Sequence, residues 1–104
     1  MSDPTKIFAL SKIFHERARL AIMTLLSTRR EGVDFTELLR QLKLTKGNLA
    51  LHLRRLEEAN YLKVSKGFVG RVPRTTYKVT ASGQRDFAAY LALLEEIIAG
   101  AKEE

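Results

Sequence analysis

Cysteine and tryptophan are absent from this chain, and histidine and proline occur only twice each. Without cysteine there is no disulfide framework, no thiol nucleophile and no cysteine-built zinc site, and a reducing compartment is the natural default. Two histidines leave little room for metal chemistry, so no metal or other cofactor is expected. No stretch of about 18 apolar residues runs uninterrupted. The opening MSDPTKIF lacks a charged segment leading into an apolar one. The expectation is therefore a cytoplasmic protein that is neither secreted nor membrane-spanning. The signatures of catalysis are missing too. There is no Ser/His/Asp set, no phosphate-cradling glycine loop and no carboxylate pair whose spacing suggests a shared pocket, so an enzyme is not expected.

What is present is the composition of one soluble globular domain spanning 1–104, with 45% hydrophobic and 29% charged residues. A chain of 104 residues buries only about two-thirds of its unfolded surface, so a second subunit would help it. Eighteen Lys and Arg face twelve Asp and Glu, giving a formal charge of +6 and a pI near 9.9. The charge is segregated. From Arg40 to Lys78 ten basic residues meet two acids, Glu57 and Glu58, a net +8, whereas from Ser82 onward two basic residues meet five acids, a net −3. A local positive field of this size attracts polyanions, of which nucleic acid is the commonest for a small cytoplasmic protein.

Asp3 before Pro4 reads as an N-cap with proline at the first helical position. It opens a helix over about 4–14 with Ile7, Leu10, Ile13 and Phe14 at helical spacing. A second helix runs from roughly Glu16 to Thr28 and presents Leu20, Ile22, Met23, Leu25 and Leu26 before Gly32 breaks it. Val33 reads as a stub of strand. Asp34 and Glu37 match a capping box that starts a helix with Leu38, Leu39 and Leu42. Thr45 caps the next helix, 45–59, with Leu49, Leu53 and Leu56 on one stripe. YLKVSKGFVG and RTTYKVT then read as a β-hairpin, separated by a Gly70-Arg71-Val72-Pro73 stretch expected to interrupt the strands. A long helix over about 81–99 carries Phe87, Tyr90, Leu91, Leu94, Ile97 and Ile98. The fold class is mainly α with a small β-hairpin, in the order helix-helix-(strand)-helix-helix-strand-strand-helix.

That order, with only a few residues joining the third and fourth helices, is a helix-turn-helix with a wing. The stretches RLAIMTLL, LTKGNLALHLRRLEEANYL and FVGRVPRTTYKVTASG resemble the small stand-alone winged-helix DNA-binding regulators related to the ArsR and MarR repressors. Together with the flanking helices, the resemblance covers nearly the whole chain. The helical wheel of 45–59 gives a compatible reading by itself. With Leu49, Leu53 and Leu56 at the back, Gly47, Asn48, Ala50, Leu51, Arg54 and Arg55 occupy the opposite or flanking arc. Arg pairs with guanine, Asn with adenine, and an apolar side chain touches a thymine methyl, so such a front suits a major groove. Thr45, Lys46 and Asn48 lie in the first turn, where recognition helices meet base edges or phosphate, and Gly47 permits close backbone approach.

Each of these residues also has a plainer reading. Thr45 is a cap before it is a phosphate contact, Arg54 and Arg55 also suit a solvated face, and Leu51 an ordinary surface leucine. His52, about 60° from the core stripe, reads first as a partly buried, hydrogen-bonded histidine, then as a phosphate contact, and last as a ligand. In the wing over 66–74, the resemblance implies that Lys66, Arg71 and Arg74 touch DNA backbone or minor groove, against a plainer role in protecting a sheet edge. It also implies a symmetric homodimer. Ile7, Leu10, Phe14, Tyr90, Leu94, Ile97 and Ile98 are the candidate interface, with Phe87, Leu91 and Leu94 alternatively closing the core. Metal sensing, known among ArsR relatives, is not expected without cysteine and without histidine in the last helix. The expected partners are double-stranded DNA and a second copy of the chain. An architectural nucleic-acid binder and a protein-interaction adaptor are the alternatives.

Overall fold

The computed structural model describes residues 3–103. A short 3-10 helix, Pro4–Ala9, precedes α1 (Arg17–Ser27), β1 (Val33–Asp34), α2 (Phe35–Leu42), α3 (Lys46–Glu58), β2 (Leu62–Val69), β3 (Val72–Val79) and α4 (Ala81–Ala101). The strands form one antiparallel sheet in the order β1-β3-β2. The order is the one expected, and each helix starts where a side chain satisfies its open amides. Asp34 Oδ1 accepts from the Glu37 amide at 2.8 Å, Thr45 Oγ1 from Asn48 at 3.2 Å, and Thr80 Oγ1 from Gly83 at 3.0 Å. Caps of this kind contribute about 1 kcal/mol each.

One core joins the elements. Ile22, Met23 and Leu26 of α1, Leu38 of α2, Leu49, Leu53 and Leu56 of α3, Leu62 of β2, and Phe87 and Tyr90 of α4 are all buried. Each large apolar side chain removed from water this way contributes roughly 1.5–3 kcal/mol. Phe14 sits at the junction with the last helix, stacked on Tyr61 at 4.6 Å between ring centroids and edge-on to Phe87 at 5.2 Å. The joint between α2 and α3 is made by Lys43, which adopts the left-handed conformation at φ 55° and returns its amide to the Leu39 carbonyl at 3.1 Å. That closes α2 within one residue and redirects the chain into α3.

Two expectations are corrected. The helix over 4–14 is only the 3-10 helix Pro4–Ala9, and Leu10 is already extended at φ −65°, ψ 139°. Asp3 does cap it, accepting from the Thr5 amide at 2.9 Å. Ser11 then supplies a competing local bond, its Oγ accepting from the Phe14 amide at 3.2 Å. This bend turns Leu10 and Phe14 inward. The second correction concerns the hairpin: Val72 and Pro73 belong to β3, pairing with Val69 and Phe68, so the turn is only Gly70 and Arg71. Gly70 sits at φ +64°, which suits the first central position of a two-residue turn. Pro73 is tolerated because the pair next to such a closing pair makes no ladder bond, so its missing N–H faces away from β2. β1 pairs with β3 only at Thr76 and Tyr77, leaving that side open.

The first turn of α4 presses closely on the strand before it. A Cβ on Gly83 would lie 2.5 Å from the Tyr61 carbonyl oxygen, so only glycine fits. The Asn60 carbonyl accepts from both Thr80 Oγ1 at 2.7 Å and Ser82 Oγ at 3.0 Å, pinning the end of α3 to the start of α4. The molecule is elongated, 58 × 26 × 21 Å, with a radius of gyration of 15.7 Å against about 13 Å for a compact domain of this length. No helix among the described residues is long and apolar enough to cross a membrane.

Candidate nucleic-acid interface

Helix α3 lies with its leucine stripe in the core and its opposite face bare. Leu49, Leu53 and Leu56 are buried, while Thr45, Lys46, Gly47, Asn48, Ala50, Leu51, Arg54 and Arg55 are all exposed. The structure thus brings every recognition-helix candidate to the surface. Arg55 sits on the flank, lining a shallow cleft with Ile13, Arg19 and Glu58. The Thr45 side chain is committed to its cap, which leaves the amides of Lys46 and Gly47 at the open, electropositive end of the helix. Lys46, Arg54 and Arg55 have no ion-pair partner among the described residues. Their charge is directed at solvent or at an anionic ligand.

His52 is partly buried and hydrogen-bonded, in agreement with its first reading. Its Nδ1 lies 3.0 Å from Arg19 Nη1 and 3.7 Å from Glu16 Oε1. Arg19 also donates through Nε to the Ile13 carbonyl at 2.6 Å and through Nη2 to that of Lys12 at 3.4 Å. One guanidinium thereby ties α3 to the segment before α1. Burial pushes the Glu16 carboxyl up, but the Arg19 amide bond and the nearby His52 and Arg19 charges outweigh it and hold the group below its usual range.

In the wing, Lys66 and Arg71 are exposed and unpaired among the described residues, as the sequence implies. Arg74 is exposed but tied, its Nε 3.1 Å from Asp34 Oδ2. Asp34 therefore caps α2 and steadies the wing together. Sequence reasoning missed the apolar tip, where Phe68, Val69 and Val72 are 73%, 56% and 65% exposed. The signal was the adjacent apolar pair Phe68-Val69 just before the turn, with Val72-Pro73 just after it.

The terminal elements divide differently from the expectation. Leu10, Phe14 and Tyr90 are buried within the single chain, Tyr90 between Phe14 and Phe87 with its hydroxyl 2.8 Å from His15 Nδ1. They belong to the core of the single chain. Leu94 and Ile97 are half-buried against that core, whereas Ile7 and Ile98 remain exposed. Phe8, at 86% exposure, and Leu91 join them as further uncovered apolar side chains.

Residues 18–98 match the family described as Winged helix DNA-binding domain. An uncharacterized protein of Methanocaldococcus jannaschii is 38% identical over 81 residues, covering 77% of this chain and 86% of its own. The solved structure of a transcriptional regulator homologue from Pyrococcus horikoshii is 34% identical, with a TM-score of 0.85 over 93% of this chain and 95% of its own. A PadR family transcriptional regulator from Eggerthella lenta is 25% identical, with a TM-score of 0.62 over 84% of this chain and 85% of its own. The match spans α1 through most of α4, the same elements that bare the basic face of α3 and raise the wing beside it, and the chain belongs to the winged helix DNA-binding domain family of transcriptional regulators.

Proposed function

We propose that this protein is a sequence-specific regulator that binds duplex DNA as a homodimer in the cytoplasm. In this reading α3 enters the major groove. Asn48 and Arg54 read base edges, Leu51 and Ala50 meet thymine methyls, and Lys46, Arg55 and the open amides of the first turn hold phosphate. Lys66 and Arg71 of the wing hold the flanking backbone or minor groove, with Arg74 positioned by Asp34.

The observation that carries this reading is the bare front of α3, whose cations have no acidic neighbour within ion-pair distance among the described residues, continued by a hairpin with no acid in its sequence. From Ala59 through Arg85 the chain contains none. A protein-interaction adaptor would need an apolar front there instead.

The dimer is supported at the other end of the molecule. Ile7 and Phe8 of the 3-10 helix and Leu91 and Ile98 of α4 are exposed, and Leu94 is only half covered. α4 is about 31 Å long at the usual helical rise, and the shape is extended by 58 Å along one axis. A two-fold pairing of the 3-10 helix and α4 would cover these side chains. It would also set two copies of α3 about 34–36 Å apart, one turn of DNA. In this reading the chain is one domain over 1–104, with its terminal elements serving the dimer and its middle serving DNA.

The test is selection of fragmented genomic DNA by the purified protein at two salt concentrations, with sequencing of what is retained and sedimentation of the free protein. An inverted repeat with half-sites about 10 bp apart and a dimer in solution are expected. DNA retained without any motif refutes sequence-specific recognition and leaves an architectural binder. No retention refutes DNA binding.

A further inference from the structure

The apolar tip of the wing is not accounted for by phosphate contacts. Its four apolar residues pair around the turn, Phe68 with Pro73 and Val69 with Val72. Cross-strand partners share a face of the sheet, so Phe68 and Pro73 project to one side and the two valines to the other. Beyond Thr76 the hairpin has no third strand, because β1 reaches only Thr76 and Tyr77. The tip therefore extends past the third strand with apolar side chains on both faces, and Val69, Val72 and Pro73 line an open cleft between it and Asp34, Phe35 and Thr36. Lys66 and Arg71 flank it, unpaired among the described residues; the hairpin itself carries no acid, and Asp34 beside the wing is engaged by Arg74.

A partner for this tip must carry dense negative charge and also offer apolar surface between the charges. A base step reached through the minor groove of a duplex has both properties. The groove is about 6 Å wide and 7.5 Å deep. Apolar side chains inserted between base steps from that side partly unstack them and bend the helix.

Resting on the reading of α3 as a major-groove helix, we propose that Phe68, backed by Val69 and Val72, is an apolar wedge. It enters the minor groove beside the half-site and bends the DNA there. Lys66 and Arg71 bring the tip to the groove, while Phe68 makes the contact that depends on how easily the step unstacks. Pyrimidine–purine steps are the most readily deformed, so the wing confers a preference at positions that α3 does not reach.

The probe is an end-labelled 30 bp duplex carrying a site recovered by genomic selection, with energy transfer between its ends reporting the bend. The Phe68→Ser variant should bind it about tenfold or more weakly, the range of aromatic stacking on a base, and should lose the bend. Its salt dependence should match the unsubstituted protein, because no phosphate contact is removed. Phe68→Leu should keep part of the bend. Phe68→Trp supplies the only tryptophan in the chain, and its emission should be quenched on binding the duplex.

Unchanged affinity and bend in Phe68→Ser, or unquenched emission in Phe68→Trp, would overturn the wedge while leaving the DNA-binding reading intact. A Phe68→Ser variant that sediments as a monomer would also overturn it, by making the tip a contact between copies. Failure of the unsubstituted protein to bind any duplex would refute the function itself, and the wedge with it.

Discussion

Gly47 separates what the fold needs from what a bound ligand needs. It is the second residue of α3, fully exposed, and a Cβ there would meet no protein atom within 4 Å. Nothing inside the chain requires glycine at this position. Glycine costs up to about 1 kcal/mol against alanine in a helix interior, and about half of that is expected in a first turn. Gly47→Ala should therefore raise stability by about 0.5 kcal/mol, or about 2–4 °C in melting temperature for a domain of this size. In the proposed complex the same methyl stands between the helix backbone and the groove. Affinity for the selected duplex should fall about tenfold, equivalent to about 1.4 kcal/mol. Thermal melting of the free protein and titration of the labelled duplex measure the two effects separately. A lower melting temperature would refute the absence of an internal constraint, and unchanged affinity would refute close backbone approach at Gly47.

Gly83→Ala should act in the opposite sense on stability. Its Cβ would strike the Tyr61 carbonyl, a backbone atom that cannot step aside, and a loss of about 1–3 kcal/mol in urea unfolding is expected; a neutral result would show that α4 can shift. Asn48→Ala should cost about 1–3 kcal/mol on the selected site and little on unrelated duplexes, whereas Arg71→Ala should weaken all sequences alike and reduce the log–log salt slope by about one per protomer. Equal losses on every sequence for Asn48→Ala would reject base reading. The Glu16 and Glu37 carboxyls are held below their usual range, Glu16 by the Arg19 amide and nearby positive charge against its burial, and Glu37 by bonds from Gln41 and Arg40. Their contribution to stability is complete above the ordinary carboxylate range and lost as pH falls through the lowered values. Unfolding measured from pH 7 to pH 3 should show this loss, and Glu16→Gln should flatten it; a variant with the full acid slope would exclude Glu16 as a source.

The features legible in the sequence are the local ones. Asp34, Thr45 and Asp3 announce their caps because acceptor and amide lie two or three residues apart, and the stripe Leu49, Leu53, Leu56 needs only the period of a helix. What was misread depends on distant partners. Ile7, Leu10, Ile13 and Phe14 have helical spacing, yet Leu10 and Phe14 are drawn inward by the core formed with Tyr61 and Phe87, and the chain bends to deliver them. Tyr90 looked like an interface residue because a wheel shows which residues share a face, not what covers that face. The partners of Arg74 and His52 were not legible either, because Asp34 lies forty positions from Arg74 and the Arg19–His52 bond spans 33.

The division of charge then follows from the architecture. Glu95 and Glu96 lie in the second half of α4, and Glu96 sits 3.7 Å from Lys6 of the 3-10 helix, so in the proposed dimer these two acids belong to the contact between copies and not to the basic wing. A single copy of α3 offers few phosphate contacts, and the salt dependence of such binding scales with their number. In the proposed dimer, two copies held by α4 would make the second half-site contact intramolecular, raising avidity by orders of magnitude without any new contact on DNA. In the proposed dimer, Ile98 and Phe8 should therefore influence affinity although neither meets a base pair. Replacing Ile98 with Glu should leave the fold intact, since the residue is 44% exposed. It should convert the protein to a monomer in sedimentation and reduce binding to the full inverted repeat to that of one half-site. A dimeric Ile98→Glu protein with full affinity would place the two-fold contact elsewhere.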